Sequence, residues 1–285
     1  MSNYRKQATT LFKRLSSLLI LCLAIPTAAA SNGQLSLISM GIGDADNITV
    51  KALRTLEAAD IVFGMQVVMD KYPDLLADKE LHEAGHGLFT SMKQPMSASE
   101  LKAFEDKNRQ IIREAIANGK NVAIIDYGDP LVYGPQSGYL DEFRDLSPQV
   151  IPGISSFNAA NAALATSITS GKSSHSVILT AAMNADENYQ GSDSPATLAA
   201  SKSSLVFFTM KMNLPEVVAQ LKTHYPDETP IAIVNHAGSA EQQQVIKTTL
   251  GTLLKDTDEG EKLPFEHLIY VGDFLQWVTP NKHLS

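Results

Sequence analysis

Apolar residues in this chain fall into short, nearly unbroken runs separated by charged stretches with helical spacing. Runs over 35–40, 121–126, 204–208, 230–235 and 267–271 read as buried strands. Their Val, Ile, Leu and Ala are continuous rather than alternating, as in sheets covered on both faces. Shorter runs over 60–63 and 176–180 have the same character. Between them the spacing predicts helices over 49–59, 97–118, 156–165, 195–201 and 214–224. Ser97-Ala98-Ser99-Glu100 sets an acidic residue three positions after a hydroxyl, a helix-start signature, and Gly119 closes that helix. A Gln/Ile/Thr-rich stretch up to Leu254 carries no clear period. Strands alternating with helices predict an α/β fold. The Pro152-Gly153 turn divides it into two α/β domains, 31–151 and 152–285, after a leader over 1–30.

The leader has the form of a signal peptide. Arg5, Lys6, Lys13 and Arg14 precede an apolar run from Leu15 to Ile25, and Pro26-Thr27-Ala28-Ala29-Ala30 supplies small residues for cleavage after Ala30. The run is short for a permanent span, so no stable membrane insertion is expected after cleavage. Cys22 lies in the leader and is the only cysteine, so the mature chain has neither disulfide nor thiolate chemistry. An exported, periplasmic protein is expected. The leader holds four of the 23 basic residues and no acidic ones, which leaves 19 basic against 31 acidic and a net charge of −12. Such a charge disfavours nucleic acid and anionic membrane surfaces as partners.

Three apolar runs lead into turns of Gly, Pro and small hydroxyl residues. These are Met40-Gly41-Ile42-Gly43-Asp44, Asp126-Tyr127-Gly128-Asp129-Pro130-Leu131-Val132-Tyr133-Gly134 and Pro152-Gly153-Ile154-Ser155-Ser156. At the carboxyl ends of parallel strands such turns point backbone N–H and C=O groups into a crevice, where open α/β sheets hold ligands.

The order of these turns closely resembles the tetrapyrrole (corrin/porphyrin) methylases. Gly41-Ile42-Gly43-Asp44 with Ile48-Thr49 and Ala58-Ala59-Asp60-Ile61-Val62 is similar to the family's opening strand, loop and helix. Gly128-Asp129-Pro130 resembles its central loop, and Pro152-Gly153-Ile154-Ser155-Ser156 its interdomain turn. Ser204 to Thr209, Asn213-Leu214-Pro215, Pro230 to Val234 and Gly251-Thr252-Leu253 resemble its C-terminal domain. The resemblance covers 35–274. It implies S-adenosylmethionine as cofactor, in a cleft between two α/β domains, and a homodimer. By position it implies cofactor contacts at Ile42, Tyr127, Gly128, Asp129, Val132, Ser155, Ser156, Thr209 and Ala237. Asp129 is a candidate to orient the cationic methionine end. Tyr127 and Tyr133, flanking the central loop, are the candidates for orienting an acceptor. Ser155 and Ser156 also suit a helix cap.

Departures from the family pattern narrow the reading. Ile42 stands where proline is usual, and Thr209 replaces a frequent methionine. Phe63-Gly64-Met65 lacks the aspartate that follows the second strand in uroporphyrinogen-type members. The segments Ser155 to Leu164 and Ser176 to Thr180 look more like the precorrin-4 C11-methylase branch. A small acceptor is expected, tetrapyrrole-like or otherwise. Yet precorrins carry many carboxylates, whereas the mature chain is acidic and has only Arg54, Arg109, Arg113 and Arg144 as arginines. An exported, non-catalytic binding protein using the same cleft, and a peptide-backbone N-methyltransferase, are the alternatives. His82-Glu83-Ala84-Gly85-His86 spells a zinc-hydrolase motif, but Gly85 and Gly87 would break the helix it requires, so no metal is expected.

Overall fold

The computed structural model describes residues 33–84, 96–181, 185, 188–208 and 213–275. The leader and Thr209 lie outside these. Residues 35–151 build an all-parallel sheet ordered β3-β2-β4-β1-β5. Its strands are β1 (Leu35–Ser39), β2 (Ile61–Gly64), β3 (Glu80–Glu83), β4 (Val122–Asp126) and β5 (Gln149–Ile151). Both faces are buried, as the continuous apolar runs require. On one face Ile38, Ala123 and Ile125 pack on Ala52 and Leu56 of the helix Val50–Glu57 and on Tyr72 and Leu76. On the other, Leu37, Val122 and Ile124 meet Ile112 and Ile116 of the helix Ala98–Ala117, with Tyr139 and Phe143. The Ser97–Glu100 capping box is present. β3 is an edge strand that places His82 and Glu83 in extended backbone rather than on the helix a zinc-hydrolase motif requires. Its polar Glu-Leu-His-Glu sequence is typical of a sheet edge and gives little apolar signal.

The second sheet is mixed, ordered β6-β7-β10-β8-β9: β6 (Val177–Ala181), β7 (Ser204–Phe208), β8 (Pro230–Asn235), β9 (Gln244–Thr249) and β10 (His267–Val271). β6 and β7 are parallel, while β10 runs antiparallel to β7 and β8. The Gln/Ile/Thr-rich stretch is the edge strand β9, antiparallel to β8, followed by the short helix Leu253–Thr257. One face packs on Val217, Val218 and Leu221 of the helix Leu214–Leu221. The other packs on Ala159, Ala160 and Leu164 of the helix Ser156–Leu164, and its apolar cluster extends to Ile42 and Tyr127 of the first half.

A close backbone approach joins the halves. A Cβ on Gly43 would stand 2.1 Å from the carbonyl carbon of Gly238, and both glycines have positive φ, 76° and 82°. Glycine alone tolerates that contact and conformation together. Around it Asp44 N–H donates to Gly238 O at 3.0 Å. Asn47 Nδ2 donates to Ile42 O and Gly238 O at 2.8 and 3.0 Å, and Ala240 N–H donates to Asp44 Oδ2 at 2.7 Å.

Asp126, fully buried at the end of β4, fixes the central loop. Its Oδ1 accepts from Tyr127 N–H at 2.8 Å and its Oδ2 from Gln136 N–H at 3.1 Å. Burial outweighs these two bonds and, with Asp129 nearby, pushes the carboxyl up to about 7. The folded state therefore holds a proton that the unfolded chain releases from its ordinary value of 3.8. Stability from this group is complete below about pH 4 and lost as pH rises through about 7, on the order of 4 kcal/mol in all. Urea unfolding of wild type and Asp126→Asn between these limits checks it. The wild type is expected to lose stability relative to the variant as pH rises, and a constant difference would contradict the assignment.

Candidate functional site

The carboxyl ends of β1 and β4 form one wall of a cleft. After β1 the chain turns at Gly41 and after β4 at Gly128, and the two glycines form an antiparallel bridge in which Gly128 N–H donates to Gly41 O at 2.6 Å. Ser39 Oγ donates to Gly128 O at 2.7 Å and accepts from Gly41 N–H at 3.2 Å, so one buried hydroxyl ties both turns. Gly128 has φ 81°, and a Cβ there would point into the cleft, with Ser156 N the nearest atom at 3.9 Å.

The opposite wall comes from the second sheet. Leu268 is in register with Phe208 on β7 and with Val234 on β8, so the three side chains stand abreast on one face. With Ile42, Val132 and Ala237 they make an apolar slot, and the cleft encloses about 760 Å³ including its open side. Phe265, Glu266 and His267 complete the rim. Burial holds the His267 imidazole below its usual value.

Of the positions expected from the sequence, Ile42, Tyr127, Gly128, Asp129, Val132, Ser156, Ala237 and Tyr133 all line this cleft. Ser155 is buried behind it, where its hydroxyl accepts from Asn158 N–H as the N-cap of the helix Ser156–Leu164. Asp129 spends its carboxylate on the loop: Oδ1 accepts from Leu131 N–H at 2.9 Å and Oδ2 from Gly153 N–H at 3.2 Å. It thereby locks the central loop to the Pro152-Gly153 turn. Tyr127 accepts from Gly43 N–H at 3.0 Å through its hydroxyl, and Lys71 Nζ stands 3.8 Å from its ring centroid. Tyr133 takes a left-handed conformation, φ 59°, which is strained for a bulky residue. Its ring packs on Phe208 with centroids 4.5 Å apart, and its hydroxyl donates to Leu179 O at 3.3 Å. Burial, then Asp193, raises the Tyr133 hydroxyl above its ordinary range.

Glu266 and Leu268 had no motif to announce them, and Phe208 and Val234 lay in family-like segments without being singled out as site residues. The available signal was positional. β10 runs opposite to β7 and β8, which brings its first residues beside their last ones. His82 stacks on Phe63 with ring centroids 4.9 Å apart, and its Nε2 lies 2.9 Å from Glu80 Oε1; His86 lies outside the described residues.

The cofactor implied by the motifs can be tested against these residues. A Gly128 side that is open where a Cβ would fill it, and a flat apolar slot, fit a purine and its ribose. Carboxylates at the rim fit a cationic group. Comparison with known proteins agrees. Residues 34–254 match the family model for tetrapyrrole (corrin/porphyrin) methylases. The chain is 27% identical over 249 residues to the cobalt-precorrin-4 C(11)-methyltransferase of Methanocaldococcus jannaschii, covering 86% of this chain and 89% of the relative. It is also 27% identical over 251 residues to siroheme synthase 1 of Klebsiella pneumoniae, covering 86% of this chain and only 49% of the relative, about half its length. The fold is shared with a solved cobalt precorrin-4 methyltransferase: TM-score 0.65 and 23% identity, covering 89% of this chain and 99% of the other. It is likewise shared with a uroporphyrin-III C-methyltransferase from Thermus thermophilus complexed with S-adenosyl homocysteine, at TM-score 0.61 and 20% identity, covering 86% and 94%. The chain therefore belongs to the tetrapyrrole (corrin/porphyrin) methylases, a family of S-adenosylmethionine-dependent enzymes with two α/β domains.

Proposed function

We propose that this protein is an S-adenosylmethionine-dependent methyltransferase acting on a small acceptor, tetrapyrrole-like or otherwise. Its cleft lies between domains 31–151 and 152–285. The observation that carries this reading is the Gly41–Gly128 bridge facing the Phe208–Leu268–Val234 row. When bound, the cofactor supplies an electrophilic methyl group on a sulfonium.

The chain's own contribution is positioning. The apolar slot takes the adenine, the open space at Gly128 and the helix-start N–H of Ser156 receive the polar end, and the rim carboxylates favour the cation. Holding donor and acceptor in line without intervening water supplies most of the acceleration such a transfer needs. Tyr127 acts by keeping the Gly43 turn against the central loop, through the bond from Gly43 N–H to its hydroxyl. Tyr133 tethers the same loop to β6 through Leu179 O. The leader over 1–30 directs export, so that the mature chain begins at Ser31 in the periplasm, and the family resemblance supports a homodimer.

Calorimetry of the mature chain with S-adenosylhomocysteine tests the cleft. Binding is expected for the wild type and is expected to vanish in Gly128→Val, whose methyls would fill the space facing Ser156. Equal affinity in the two proteins would refute this location.

Methyl transfer in a cell extract, followed with radiolabelled cofactor, tests the positioning. Tyr127→Phe and Tyr133→Phe are each expected to slow transfer roughly tenfold to a hundredfold, the effect of losing a hydrogen bond worth about 1–3 kcal/mol. Cofactor binding with no transfer by the wild type would mean a binding protein instead.

N-terminal sequencing of protein from the envelope fraction is expected to begin at Ser31. Intact Met1 on cytoplasmic protein would remove export from the account.

A further inference from the structure

The cleft has a second compartment on the far side of the Tyr127 ring, lined by Gly43, Asp44, Lys71, Ser239, Gln242 and Glu266. Glu266 borders both compartments. Among the described residues Lys71 is the one lysine or arginine lining either of them, and its Nζ lies 3.5 Å from Glu266 Oε1. Glu266 Oε2 in turn lies 3.4 Å from His236 Nδ1. The cation is thus matched within the wall. Asp44 in this compartment and Asp129 in the first are left over, bonded to backbone N–H groups and, among the described residues, to no cation.

The described arginines stand elsewhere. Arg109 pairs with Glu105, Asp106 and Glu142, Arg113 with Asp145, and Arg144 with Asp141, all on the outer helices. Arg54 lies at the amino ends of β1 and β4, beside Gln34 and Val122, at the opposite end of the sheet from the cleft. Among the described residues, a molecule with many carboxylates would meet one uncompensated carboxylate in this compartment, a second in the adjoining one, and no guanidinium. A cation would meet complementary charge.

We propose that the acceptor entering the Lys71–Glu266 compartment is uncharged or cationic, and that polycarboxylates are rejected there. This rests on the cleft being the methyl-transfer site. Matched porphyrin probes test it on the mature chain saturated with S-adenosylhomocysteine: uroporphyrin I, an octacarboxylate, and tetrakis(N-methylpyridinium-4-yl)porphyrin, a tetracation. The cationic probe is expected to bind at least about tenfold tighter by calorimetry. Glu266→Gln, which removes a rim carboxylate and frees Lys71, is expected to narrow that preference at least about threefold. Glu259→Gln, on an exposed turn, is expected to leave it unchanged. Equal or tighter binding of the octacarboxylate, binding of neither probe, or a preference indifferent to Glu266→Gln would overturn the proposal while leaving the cofactor site intact. Failure of S-adenosylhomocysteine to saturate the protein, seen before either porphyrin is added, would overturn both.

Discussion

Everything at the cleft depends on two backbone segments lying against each other, Ile42-Gly43 from the first half and Gly238-Ser239 from the second. The approach is too close for any side chain at Gly43. It sets the distance between the parallel sheet and the mixed sheet, and so the width of the slot between Ile42 and Leu268. Tyr127 is oriented by the same contact, because its hydroxyl accepts from Gly43 N–H. Asn47 and Asp44 satisfy the backbone groups that the contact would otherwise leave unpaired.

The central loop is fixed with comparable economy. Asp126 holds its first residue from below, Ser39 ties it to the β1 turn, and Asp129 ties it to the turn after β5. A buried carboxyl is an uncommon choice for such a post, since burial disfavours its charge. Its two N–H donors favour the carboxylate and only partly offset that cost, so the group keeps its proton up to about 7. Rigidity of this kind suits a site whose chemistry rests on alignment rather than on a strong acid or base.

Much of this was legible in the sequence. The central strands were, because burial on both faces demands unbroken apolar runs: β7, β8 and β10 occupy 204–208, 230–235 and 267–271 as the pattern reads. The edge strand β6 (Val177–Ala181) was too, at the run over 176–180, but the other edge strands were not. β3 is Glu-Leu-His-Glu and β9 begins Gln-Val-Ile-Lys, and half of each faces solvent or a polar neighbour, so neither gives a continuous signal. β5 has three residues, too few for a period. At the site the glycine turns stood out, because positive φ and close approach select a residue type. Phe208, Val234 and Leu268 did not, since an apolar residue at a strand end looks the same whether it faces a core or a ligand. The Lys71–Glu266 pair joins residues 195 positions apart and is set by folding alone.

On this reading the two glycine turns and the Phe208–Leu268–Val234 row enclose one cofactor site. A crystal structure of the mature chain soaked with S-adenosylhomocysteine tests it most directly. The account predicts the ligand's adenine between Ile42 and Leu268 and its polar end against Gly128 and Ser156. Ligand density elsewhere, or an empty cleft at saturating concentration, would contradict it.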